Sequence, residues 1–230
     1  MIKLSITTTV ALALTLGLAH AGSAAKALPQ PAVDVASDAG GLQTAVFSGG
    51  CFWGVQGVFE HVKGVTRAVS GYAGGTVANP SYEQVSSGST GHAESVRVTF
   101  DPAQVSYGTL LRIFFSVALD PTEKDRQGPD WGTQYRSELF VNGPEQARVA
   151  KAYVAQLEAA HAFNAPIVTR IDPAGPFYPA EAYHQDYLDL HPDQPYIAIN
   201  DIPKVQALQA MFPASWQPTP VKVGKLASSD

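Results

Sequence analysis

The sequence predicts one α+β (mixed α/β) domain, and three observations carry that reading. Strand-period and helix-period patterns intermix along the chain, and the strands are short with hairpin-length links. The 230 residues are 45% hydrophobic with a net charge of −5, as a soluble globular chain requires. Between two segments that lack periodicity, residues 22–41 and 217–230, lie about 175 residues, enough for one sizeable core.

Residues 1–21 have the form of an export leader. Lys3 gives a positive start, residues 4–19 are apolar with Ser and Thr interspersed, and Ala19-His20-Ala21 fits a small-x-small cleavage site. The apolar run is short for a membrane span and no second one follows. A retained N-terminal anchor is the alternative. The mature chain is expected to start near Gly22 and to work outside the cytoplasm, periplasmic or secreted, as a monomer free of the membrane. Residues 22–41 are rich in Ala, Pro, Ser and Gly and read as a flexible linker, residues 217–230 as a flexible tail, and 42–216 as the folded domain. Lys and Arg are scattered without a stripe, which leaves a nucleic-acid partner unsupported.

Within the domain, residues 44–47 are strand-forming. Residues 54–63 read as a helix, with Val55, Val58, Phe59 and Val62 at i, i+3, i+4 and i+7. Phe52 continues that apolar stripe, whereas Trp53 is turned away by about 100° and can border a surface pocket. Residues 66–72 are a strand closed by Gly74-Gly75, and 76–91 a long polar loop. Residues 94–100 alternate, with Val96, Val98 and Phe100 facing one way. Glu94 shares their parity, so the strand aims its carboxyl toward the core. Ser106 caps a helix to about residue 118. A loop over 120–133 leads to a strand at 134–141. Residues 145–162 form a long helix, 166–171 a strand and 181–190 a short helix.

Cys51 is the sole cysteine, in Gly49-Gly50-Cys51-Phe52-Trp53-Gly54, where strand gives way to helix. A helix N-terminus favours a thiolate there. A lone cysteine can instead be a small buried hydrophobe, but that role has no need of a Gly-Gly approach. Desolvation would raise the pKa of Glu94 and make it an acid near neutral pH; the alternative is a strand-end carboxylate turned to solvent. Tyr82 and Tyr135 are phenol donors in or beside polar loops, able to orient a substrate oxygen or simply to pack. Glu181 and His184 have metal-pair spacing but no second pair, so no metal is expected. His184 beside Cys51 would suggest a Cys-His hydrolase or acyltransferase, a pairing that spacing alone leaves open.

These residues fall in a longer series. Gly50-Cys51-Phe52-Trp53-Gly54 is followed by Gly71-Tyr72-Ala73-Gly74-Gly75, Asn79-Pro80-Ser81-Tyr82-Glu83-Gln84-Val85 and Gly88-Ser89-Thr90-Gly91-His92-Ala93-Glu94. Then come Asp120-Pro121-Thr122, Asp130, Gly132-Thr133-Gln134-Tyr135-Arg136-Ser137 and Phe177-Tyr178-Pro179-Ala180-Glu181. Over residues 44–190 the series resembles the peptide methionine sulfoxide reductase A family. The resemblance implies a two-layer sandwich with a ferredoxin-like core, and reduction of the S epimer of methionine sulfoxide. It implies Cys51 as nucleophile on the sulfoxide sulfur, and Phe52 and Trp53 as the pocket for the S-methyl group. Glu94 becomes the acid, with Tyr82 and Tyr135 around the sulfoxide oxygen. Asp130 becomes a carboxylate that holds the substrate's polar side or the site's shape. No cofactor is implied beyond an external thiol reductant, a thioredoxin- or glutaredoxin-like protein or a small thiol. Many relatives carry further cysteines near the C-terminus that resolve the sulfenic acid, and residues 191–230 have none. The partners expected are therefore oxidised proteins or peptides and that outside thiol. A non-catalytic methionine sulfoxide binder is a further alternative, against which the joint presence of Cys51, Glu94, Tyr82 and Tyr135 argues.

Overall fold

The structure is a computed structural model that describes residues 27–35 and 40–223; the predicted leader, residues 1–21, lies outside them. In chain order the elements are β1 (Gln43–Ser48), α1 (Phe52–Glu60), β2 (Val65–Ala73), α2 (Tyr82–Ser86), β3 (Ala93–Phe100) and α3 (Tyr107–Ile113). A π-helical turn, Phe114–Ala118, extends α3. Next come β4 (Arg126–Gln127), β5 (Asp130–Trp131), a 3-10 turn (Thr133–Tyr135), β6 (Glu138–Val141) and α4 (Gly143–Ala159). The chain continues through β7 (Arg170–Pro173), β8 (Phe177–Pro179), a 3-10 turn (Ala182–His184) and α5 (Tyr187–Leu190). A second π-helical turn (Ile197–Asp201) then leads into α6 (Ile202–Met211).

Six strands form one sheet in the order β7-β6-β1-β3-β2-β8. Its centre, β6-β1-β3-β2, is antiparallel throughout, with α1 joining β1 to β2 and α3 following β3. That order and connection are ferredoxin-like, as expected. β7 is added parallel to β6 through α4, and β8 pairs with the far edge of β2. The main core lies between the sheet and the helices. There Phe47 packs against Phe59 at 4.6 Å and Phe114 at 5.1 Å between ring centroids. Each such ring stabilises the fold by about 1.5–3 kcal/mol through burial. Alternation in β1 sends Val46 to the opposite face, where it meets Ala73 and Phe140.

Several expectations change in detail. The loop at 76–91 contains α2, because Ser81 and Gln84 form a reciprocal capping box. The strand expected from residue 134 begins at Glu138, after the 3-10 turn. The strand expected at 166–171 starts at Arg170, and the helix expected at 181–190 is split by Asp186, whose φ is +55°. The linker reading is corrected for residues 27–35. Composition suggested mobility, yet the backbone carbonyls of Leu28, Pro29 and Gln30 accept hydrogen bonds from Arg112, Tyr153 and Gln156. Leu28, Val33 and Val35 pack on the core. Asp34 accepts from Ser106 Oγ at 2.5 Å and from the Gly108 N–H at 2.8 Å. The tail reading changes likewise for residues 217–223. Gln217 and Val221 N–H groups donate to the carbonyls of His61 and Glu60, and Val223 N–H donates to Asp186.

Among the described residues no helix is long and apolar enough to cross a membrane. Asp34→Ala should lower unfolding free energy by about 1–2 kcal/mol, the worth of two lost carboxylate hydrogen bonds at the start of α3. Urea titration measures it, and an unchanged midpoint would mean that the arm contributes nothing.

Candidate active site

Gly50 turns the chain from β1 into α1. Its φ is +88°, and an added Cβ would lie 2.6 Å from Gln127 Cβ, so glycine is required for β4 to close over this turn. Cys51 takes the N-cap of α1, with Phe52 and Trp53 as the first helical residues. Helix therefore begins two residues before the position predicted.

Cys51 is only 8% exposed. The expectation that the helix N-terminus would favour a thiolate is corrected by what surrounds it. Burial pushes the thiol well above its ordinary range, and the Glu94 and Asp201 carboxylates push the same way. The Trp53 backbone N–H and Lys204 act in the opposite sense and are outweighed. Cys51 rests as a thiol.

Glu94 enters from β3 on the face of Val96 and Val98, as its parity predicted, and is 2% exposed. Its Oε2 accepts from the Phe52 N–H at 3.0 Å. Burial raises its pKa to about 8, in spite of that N–H, and Asp130 and Asp201 add to the rise. At neutral pH it is a carboxylic acid hydrogen-bonded to the backbone of the residue that follows Cys51.

The two predicted phenols stand on short, cross-braced elements. Tyr82 opens α2, and its N–H donates to Glu181 Oε1 at 2.9 Å. The other Glu181 oxygen accepts from Tyr72 O–H at 2.8 Å. Tyr135 closes the 3-10 turn, which Gln134 Nε2 ties to Ser86 O of α2 at 3.1 Å. Arg136 holds the same turn through Thr133 O and Gly91 O. Burial first, and Glu94 second, push both phenols upward, so each keeps its O–H.

Phe52 is buried against Tyr72 and His184, with centroids 6.0 and 5.1 Å apart. Trp53, half-buried, stacks on Tyr187 at 3.9 Å and meets the edge of Tyr196 at 6.0 Å. Tyr196 O–H in turn donates to Asp130 Oδ2. All the residues singled out from sequence thus share one packing and electrostatic neighbourhood. What they offer is a buried thiol, an acid beside it, two phenols and an aromatic wall. That set suits attack on a polarisable centre whose oxygen must be protonated.

The model of the peptide methionine sulfoxide reductase family matches residues 43–215. The chain belongs to that family. Among its relatives is a peptide methionine sulfoxide reductase MsrA 2 of Mesorhizobium japonicum, 56% identical over 80% of this chain and 94% of the relative. Another, from Synechocystis, is 50% identical over 81% of this chain and 89% of its own. Among solved structures, methionine sulfoxide reductase A of Corynebacterium diphtheriae is 36% identical with a TM-score of 0.57. It covers 73% of this chain and 84% of its own. Reduced Mxr1 of Saccharomyces cerevisiae is 33% identical with a TM-score of 0.59, over 68% of this chain and 90% of its own.

The hydrolase alternative fails on geometry. His184 Nδ1 accepts from Trp53 Nε1–H at 3.2 Å, and its Nε2 is buried without a hydrogen-bond partner, so no Cys-His pair forms. Burial lowers the His184 pKa. Glu181 is committed to Tyr72 and Tyr82, and among the described residues no group of three His, Cys, Asp or Glu is arranged for a metal ion. Sequence reasoning missed Tyr187, Tyr196 and Asp201. Tyr187 lay inside a predicted helix and carried no spacing signal. Tyr196 and Asp201 belong to a segment whose approach to α1 is wholly tertiary.

With Glu94 protonated up to about pH 8, kcat/KM for a sulfoxide should fall as pH rises through that value. Glu94→Gln should lower kcat by about 10²–10⁴-fold and remove the descending limb. A pH-rate profile checks both, and a limb surviving in the variant would assign it to another group.

Proposed function

We propose that this chain reduces methionine S-sulfoxide, free or within oxidised proteins, to methionine. The observation that carries the reading is the Phe52 N–H bond to Glu94, which seats a protonated acid beside the only thiol. The S-methyl group would lie against Phe52 and Trp53, with the oxygen toward Glu94, Tyr82 and Tyr135. Asp130, through Tyr196, would hold the far wall of the pocket and the substrate's polar side. The S epimer follows from the family resemblance.

Glu94 gives its proton to the sulfoxide oxygen, which makes the sulfur electrophilic. Cys51 sulfur attacks that sulfur, and its own proton passes to the Glu94 carboxylate. The hydroxyl then passes from the substrate sulfur to the Cys51 sulfur as the substrate S–O bond and the new S–S bond both break, so methionine leaves and Cys51 is left as a sulfenic acid. The sulfoxide gains two electrons and the cysteine loses two. An outside thiol then attacks the sulfenic sulfur, Glu94 protonates the departing hydroxide as water, and a mixed disulfide forms. A second thiol releases Cys51. The sequence has no other cysteine to take that part, which supports a thioredoxin- or glutaredoxin-like donor or a small thiol. No prosthetic group enters these steps.

Cys51→Ser should abolish dithiothreitol-driven reduction of a methionine sulfoxide peptide; retained turnover would sink the mechanism. One equivalent of sulfoxide should add a single oxygen to the intact mass, trappable by a sulfenic-specific reagent. An obligatory intermolecular dimer would contradict it.

We propose that the mature protein lies outside the cytoplasm, on the strength of the charged start, apolar run and Ala19-His20-Ala21. Intact-mass analysis of protein recovered from the periplasm or medium should give a chain beginning near Gly22. A cell-associated product that keeps residues 1–21 would favour the anchor instead.

A further inference from the structure

Asp201 lies near Cys51 and has no part in the steps above. It ends the π-helical turn Ile197–Asp201, and its side chain is fully buried. Oδ1 accepts from Lys204 Nζ at 3.1 Å, while Oδ2 is buried without a partner. A carboxylate placed this way is costly to bury, so its location calls for a reason. Gly54 supplies the space. An added Cβ there would lie 2.1 Å from Asp201 Oδ1 and 2.9 Å from Lys204 Nζ. The missing side chain is on the first turn of α1, the turn that Cys51 caps.

We propose that the Asp201–Lys204 pair, seated in the space that Gly54 leaves open, is a positioning element that holds Cys51 in its thiol form in the resting enzyme. A helix N-terminus offers one region of positive partial charge, and a carboxylate there competes with the sulfur for it. Asp201 opposes ionisation of Cys51 more strongly than Lys204 favours it, so the net effect of the pair on the thiol is that of its negative member. Burial raises the pKa of Asp201 and Asp130 adds to the rise, while the charge and hydrogen bond of Lys204 work against it and favour the carboxylate.

Of the other groups facing the pair and the thiol, the Trp53 backbone N–H acts against this and is outweighed, and the rest do not oppose it. Glu94, from β3, is uncharged up to about pH 8 and adds in the same sense above it. Asp130, from β5, faces Asp201 and Glu94 and carries the same sign. The phenols Tyr82, Tyr135 and Tyr196 keep their protons. A resting thiol reacts slowly with adventitious electrophiles and oxidants, because the thiolate is the nucleophile. A sulfoxide held against Glu94 brings its own activation. The inference extends the reductase reading to the resting protein, and it can be measured without any sulfoxide.

The test is the pH dependence of Cys51 alkylation by iodoacetamide in the full chain, where a single cysteine makes the readout unambiguous. The midpoint reports ionisation and the high-pH plateau reports access, so a change in access alone leaves the midpoint in place. Asp201→Asn should move the midpoint down by about half to one pH unit and speed alkylation below it about three- to tenfold. Lys204→Arg keeps the charge and should retain the parent midpoint. The double variant Asp201→Asn/Lys204→Gln removes both charges together, so no buried charge loses its partner. It serves if the single variant folds poorly, and its midpoint should move the same way by a smaller amount. A folded Asp201 variant, single or double, whose midpoint equals or exceeds the parent's would overturn the proposal. Sulfoxide turnover is not part of this readout, so failure here and failure of the reductase reading are separate results.

Discussion

The hydrogen bond from the Phe52 N–H to Glu94 joins β3 to the first turn of α1, and the site is built around it. One of the free N–H groups of a helix start is thereby satisfied by a side chain from the sheet. The bond sets the separation of acid and thiol by backbone geometry rather than by loose side-chain reach. Other contacts keep α1 in place over the sheet. Gln56 Nε2 donates to Ala68 O, Ser70 Oγ donates to Gln56 Oε1, and Gln185 bridges Ser70 N and O. Each of these groups is buried, so a loss would leave orphaned polar atoms as well as a looser helix.

Burial then sets the proton inventory. The same desolvation that keeps Glu94 protonated to about pH 8 also keeps Cys51 from ionising. A site that starts with both protons in place can deliver one to the sulfoxide oxygen and recover the other from the thiol. The helix dipole, the feature most visible in the sequence, is the weaker force here.

Legibility followed the range of the interactions. The alternation of β3 exposed the inward parity of Glu94, and the Gly-Gly-Cys turn marked the start of α1. The ferredoxin-like order came through family motifs. What escaped was tertiary. The arm at residues 27–35 is held through backbone carbonyls, which composition cannot register. The capping box of Ser81 and Gln84 was present in the sequence but lay between proline and glycine punctuation that suggested a loop. Tyr196 and Asp201 reach the site only because the 196–211 segment folds back across α1. Asp186 split a predicted helix because its left-handed backbone lets its carboxylate receive Val223.

That returning segment touches α1 at both ends. Asp201 rests on Gly54 at its start, while beyond its end Trp216 stacks on His61 at 4.5 Å and pairs with Val62. That segment brings no second cysteine to the sulfur, since the sequence has only Cys51, so on the proposed mechanism the second half of the cycle has no internal clock. On the proposed mechanism, once oxygen sits on Cys51 the waiting time would be set by collision with a donor, first order in its concentration. The thiol supply of the surroundings would then become the throttle on repair.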